Sequence, residues 1–105
     1  MLFLKPKKNI NDELREYRAT EGAVLLDVRN PHEYSFARLP GSVNIPLSRL
    51  KQAKHIFPDK ETPIFVYCVS GGRADRAVKR LRRMGYKNVK SIGGVNGYRG
   101  ELEQG

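Results

Sequence analysis

The chain has 105 residues, enough for one ordinary domain and too few for two. Hydrophobic residues make up 39% and charged residues 30%, a balance that suits a globular core, and no apolar stretch approaches the ~20 residues a membrane helix requires. Twenty Lys and Arg against 11 Asp and Glu leave a formal net charge of +9, which excludes an acidic surface and directs attention to acidic partners.

The opening "MLFLKPKKNI" places its apolar residues before its lysines, the reverse of a signal peptide. One cysteine cannot form an internal disulfide, so a reducing, cytoplasmic compartment is expected. Residues 1–9 read as an N-terminal extension and residues 10–105 as the domain. Over residues 10–19, Ile10, Leu14 and Tyr17 share one helical face, with Asn11 placed to cap it. "GAVLLDVR" is continuously apolar and suits a strand covered on both faces. "NPHEYSFARLPGS" reads as a loop with one helical turn, and "VNI" as a short strand stopped by Pro46.

"LSRLKQAKHIF" carries a weak helical pattern through Leu47 and Leu50, and "PDKETP" is a turn. "IFVYC" is the clearest strand, rich in β-branched and aromatic residues. From Arg73 the period becomes helical, with Ala74, Ala77, Val78 and Leu81 on one face and Gly85 where a helix C-terminal glycine belongs. "VKSI" is the last predicted strand, and the glycine-rich "GGVNGYRG" after it reads as a flexible loop near the domain end. Strands alternating with helices imply an α/β fold with a parallel sheet and helices on both faces. Such sheets hold ligands beyond the carboxyl ends of their strands, and Cys68 stands at one of those ends.

Cys68 is followed by Val69, Ser70, Gly71, Gly72 and Arg73, then by the helical pattern. A strand, a glycine-containing turn and a helix N-terminus in succession present inward-facing amides to an anion. The glycines permit positive φ and close backbone approach, and Arg73 adds a permanent cation. All of these favour a thiolate, the nucleophilic form of cysteine. Asp75, in the first helical turn, opposes it unless its side chain turns away. The competing reading is a small buried hydrophobe at a strand end.

"CVSGGRA" resembles the active-site loop of the rhodanese sulfurtransferases, and "LLDVRNPHEY" followed by "LPGSVNIPL" resembles their upstream signature. "GGVNGYRGELEQG" is similar to the family's glycine-rich ending. The resemblance covers roughly residues 10 to 105. It implies a three-layer α/β/α fold around a mainly parallel sheet of about five short strands. It implies further that Cys68 accepts a sulfane sulfur as a persulfide, held by the amides of residues 69–73, and passes it to a thiophilic acceptor such as cyanide or a thiol. Thiosulfate or a persulfide is the expected donor, and no metal or organic cofactor is needed. The related cell-cycle phosphatases place five residues between cysteine and arginine; four separate Cys68 from Arg73, which suits a sulfur atom better than a phosphate or arsenate oxyanion. A second reading is a sulfur carrier served by a cysteine desulfurase or another relay protein, and a third is a small phosphatase or arsenate reductase.

The sequence departs from the family at Ala37, Arg38 and Leu39, where many members read Gly-His-Ile, and at Tyr98, where tryptophan is frequent. Arg38 reads either as a pocket-mouth cation attracting thiosulfate or as an ordinary surface arginine. Asp27 and Arg29 read as an ion pair or backbone anchor supporting the loops, with acid–base work as the alternative. Ser70 either donates to a bound sulfur or stabilises its turn. His32 reads as a capping residue, against a Cys68–His32 hydrolytic pair. His55 reads as a surface residue, and two histidines with one cysteine fall short of a zinc site. The basic run "RADRAVKRLRRMGYKNVK" reads as a patch for RNA or an acidic protein, or as the solvated face of a helix without interleaved aromatics for base stacking.

Overall fold

The computed structural model describes residues 9–105. Apart from Asn9, the N-terminal extension lies outside the described residues. Four strands form one parallel sheet: β1 (Val24–Asp27), β3 (Val43–Asn44), β4 (Ile64–Cys68) and β5 (Val89–Gly94), in the order β3-β1-β4-β5. A separate antiparallel pair joins β2 (Ala37–Arg38) to β6 (Glu103–Gln104). Among the described residues the central sheet thus has four strands, close to the expected five or so, in the three-layer α/β arrangement expected. The remaining strand pairing involves the chain's end, whose charged "GELEQG" carries no strand pattern.

The helices are α1 (Ile10–Ala19), α2 (Pro31–Phe36), α3 (Ala53–Ile56) and α4 (Gly72–Arg83), with 3-10 segments at Leu47–Gln52 and Val95–Gly97. All five residues of β4 are buried, and they alternate between two cores as strand geometry requires. Ile64, Val66 and Cys68 face Ala74, Ala77, Val78 and Leu81 of α4. Phe65 and Tyr67 face Ile10 and Leu14 of α1 on the other side. The result is three layers, with α1 on one face and α4, α3 and the Leu47–Gln52 segment on the other.

The N-cap of α1 is Asn9 rather than Asn11: the Asn9 side chain accepts from the amides of Asn11 and Asp12. Asn11 instead donates to the Gly97 carbonyl and accepts from the Arg99 amide, tying α1 to the C-terminal segment. The α2 cap is a reciprocal capping box between Asn30 and Glu33 with Pro31 behind it, so His32 does not cap; it is exposed. Gly85 follows the α4 C-cap with φ +102°, the left-handed conformation expected there.

Candidate active site

β4 delivers Cys68 to the carboxyl edge of the sheet between two parallel neighbours. The residue is 1% exposed, so its sulfur sits at the floor of the following loop and is shielded from bulk water. The Gly71 amide donates to Cys68 Sγ at 2.9 Å. Gly71 does so with φ +110°, a backbone angle that a side chain opposes, and it is also the N-cap of α4. Gly72 has ordinary helical geometry as the first residue of α4, so of the two glycines only Gly71 needs its freedom. The turn from strand to helix is thus only residues 69–71, and α4 points its amino end at the sulfur.

Arg73 does not donate to the sulfur. Its guanidinium makes a bidentate pair with Glu33 of α2, at 2.7 Å and 3.0 Å. That bond holds the Glu33 carboxyl down at about 2, with burial opposing and the Asn30 amide assisting. The same bond raises Arg73 first; burial opposes, and the charges of Glu33, Cys68 and Asp27 add to the rise. Arg73 is therefore tethered to α2, with its charge largely balanced by the Glu33 carboxylate. Glu33 escaped the sequence reading because its partner is 40 residues away. Its place at the third helical position of a capping box was the only local signal.

A second element of the site also went unread. The β4–β5 register shifts between Val66 and Tyr67, so that Tyr67 opposes Gly93 and Cys68 opposes Gly94. Gly93 takes φ +98° in this irregularity. A Cβ on Gly94 would lie 1.8 Å from the Val69 carbonyl oxygen and 2.5 Å from the Ser70 nitrogen. The Asn96 amide donates to that same Val69 carbonyl at 3.2 Å. The "GGVNG" stretch is therefore strand and 3-10 turn packed beneath the cysteine loop, not a flexible loop.

Asp27 and Arg29 are buried at 0% and 5% exposure and joined through both carboxylate oxygens at 2.7–3.1 Å. Asp27 also accepts from the Arg29 amide, and Arg29 donates to the Ala37 carbonyl, so the pair fastens the chain leaving β1. Beside it the Tyr67 hydroxyl accepts from the Leu39 amide and donates to Ser42 Oγ, holding the "LPGS" turn. Burial first, then the Asp27 carboxylate, pushes that hydroxyl well above the ordinary tyrosine range, so it stays protonated and able to donate.

Arg38 lies over the Tyr34 ring and pairs with Glu103 at 3.6 Å, with bonds to the Tyr34 and Gly105 carbonyls. These partners belong to α2 and the C-terminal segment, and none is in the cysteine loop. Ser70 is exposed, and no hydrogen bond ties its hydroxyl among the described residues. Asp75 is exposed and lines a polar cleft with Ser70, Gly71 and Lys90.

The family described as "Rhodanese-like domain" matches residues 11–101. The chain is 36% identical over 98 residues to the adenylyltransferase and sulfurtransferase uba4 of Ogataea parapolymorpha, covering 92% of this chain but only a quarter of that protein. It is 37% identical over 71 residues to the thiosulfate sulfurtransferase PspE of Escherichia coli, covering 67% of this chain and 68% of that one. A solved structure described as "rhodanese with anions from E. coli" superposes with a TM-score of 0.73 at 32% identity, over 79% of this chain and 99% of that one.

Proposed function

Since the chain belongs to the rhodanese-like domain family, we propose that it is a sulfurtransferase carrying a sulfane sulfur as a persulfide on Cys68. The observation that carries this reading is the Gly71 amide, 2.9 Å from Cys68 Sγ at the amino end of α4. In the first half-reaction the thiolate attacks the outer sulfur of thiosulfate. A Cys68 S–S bond forms, the donor's S–S bond breaks, and sulfite leaves with the electron pair. In the second half-reaction cyanide attacks the outer persulfide sulfur, thiocyanate leaves, and the thiolate returns. A thiol acceptor instead yields its own persulfide.

The chain's own groups have distinct tasks in this scheme. The Gly71 amide and the α4 terminus stabilise negative charge on sulfur before and after transfer, at a site that water does not screen. Arg73 adds a guanidinium that Glu33 holds in place and largely neutralises. The short turn between β4 and α4 supports sulfur over a tetrahedral oxyanion, which sets the phosphatase and arsenate reductase readings below this one.

Covalent transfer in two halves predicts ping-pong kinetics: parallel double-reciprocal lines when thiosulfate and cyanide are varied together. Intersecting lines would exclude a free persulfide enzyme. A relay role is the second reading, favoured by the acid-poor basic surface on α4. It predicts slow turnover with thiosulfate and fast loading from a cysteine desulfurase.

A further inference from the structure

The basic run of the sequence divides once folded. Lys87 pairs with Glu61 at 3.2 Å, and Lys90 pairs with Glu13 at 2.8 Å and Glu16 at 3.1 Å. Arg80 and Arg83 face elsewhere, across a groove of about 660 Å³ between α4 and the Leu47–Gln52 segment, where Arg49 and Lys51 form the opposite rim. None of these four cations has a carboxylate partner among the described residues. Leu47, Leu50 and Met84 supply an apolar lining.

A neighbouring cavity of about 350 Å³ shares Leu47, Ser48 and Arg80 with this groove and reaches Asn30 and Arg73. One trough therefore runs from the outer half of α4 to the arginine beside Cys68. No acidic and no aromatic residue lines either part. Four cations without a carboxylate partner, of which Arg80 and Arg83 donate only to the Leu47 and Lys79 carbonyls, surround an apolar strip and match a segment that alternates carboxylates with an apolar side chain. The missing aromatics leave nothing on which a nucleic-acid base would stack.

We propose that this trough docks an extended acidic segment of a partner protein, with an apolar side chain set among Leu47, Leu50 and Met84 and carboxylates on Arg49, Lys51, Arg80 and Arg83. The partner's reactive group is thereby brought toward the Arg73 end of the trough. Only that last consequence rests on the sulfurtransferase reading; the binding itself makes no use of Cys68.

The test is fluorescence anisotropy on the full chain with a labelled peptide of about twelve residues, Asp and Glu flanking two leucines, competed by an unlabelled single-stranded oligonucleotide of equal charge. Saturable peptide binding is expected, weakened at least ~10-fold by Arg49→Glu with Arg83→Glu and ~3-fold or more by Leu47→Ala. Arg18→Glu with Arg99→Glu makes the same change in net charge near α1, on the opposite face of the sheet, and should weaken binding less than ~2-fold at moderate salt. Cys68→Ala should bind as the parent does, which separates failure of docking from failure of the sulfur chemistry. The proposal is overturned by no saturable binding, by equal weakening from both charge reversals, or by an oligonucleotide that binds more tightly than the peptide. Far-UV circular dichroism and thermal melts of each variant establish that the folded chain is being compared.

Discussion

Gly94→Ala is the most informative single perturbation of the site, because it adds one methyl group and touches nothing chemical. The new Cβ would stand 1.8 Å from the Val69 carbonyl oxygen and 2.2 Å from its carbon. Carbon–oxygen contacts are seldom closer than about 3.3 Å, so the loop must retreat by roughly 1.5 Å at Val69. The clash is with backbone, and no rotamer change relieves it. Overpacking of this kind costs about 1–3 kcal/mol, and at ~4–8 °C per kcal/mol a loss of ~2 kcal/mol lowers Tm by roughly 8–16 °C. Displacing the amides around Cys68 by ~1 Å should slow sulfur loading about 100-fold. Gly72→Ala is the contrast: a Cβ there meets nothing within 4 Å, and a helical alanine should leave Tm unchanged or slightly raised. Differential scanning calorimetry and single-turnover loading from thiosulfate read the two effects. A Gly94→Ala protein as stable and as fast as the parent would refute the claim that β5 shapes the loop.

Glu33→Gln should lose the tether on Arg73. The Glu33 carboxyl lies at about 2 against an ordinary 4.5, so its stabilisation is complete above pH 4.5 and is lost as pH falls toward 2. The shift corresponds to at most ~3 kcal/mol, reduced to ~1–2 kcal/mol by the partial exposure of the pair. Urea unfolding against pH should be flatter for the variant across that window, and a parallel course with the parent would contradict the pairing. Asp27→Asn leaves Arg29 buried without its charge partner and should cost ~3 kcal/mol or more in the same assay, whereas Asp12→Asn, at an exposed pair with Arg15, should cost less than ~1 kcal/mol. Equal costs would show that the buried pair has no special part. Tyr67→Phe strips the acceptor from the Leu39 amide and should cost ~1–3 kcal/mol, seen as faster hydrogen exchange at Leu39; unchanged exchange would mean that the turn is held by other bonds.

What could be read from sequence follows the range of the interactions involved. The face of α4, the burial of β4 and the emergence of Cys68 at a strand end depend on neighbours within a few residues, and local periodicity reports them. The small antiparallel pair was hidden because Ala37 and Arg38 meet Gln104 and Glu103 far along the chain, and two-residue strands leave no pattern. Asn9 and Asn11 have the same capping chemistry two residues apart. Which one caps depends on Asn11 being engaged by Gly97 and Arg99 from the other end of the chain. The Arg73–Glu33 tether and the Gly94–Val69 contact share that character: each joins two stretches that look ordinary alone. Arg38 shows the reverse case, a residue with two sequence readings whose charge is spent on Glu103 and the Tyr34 ring.

Whether Cys68 carries sulfur is decided by intact-mass spectrometry after incubation with thiosulfate. A Cys68 persulfide adds one sulfur, about 32 Da, which is removed by cyanide or dithiothreitol and absent from Cys68→Ala. A parent protein whose thiol titrates freely yet gains no such mass, or a Cys68→Ala protein that gains it, would overturn the assignment of Cys68 as the sulfur carrier.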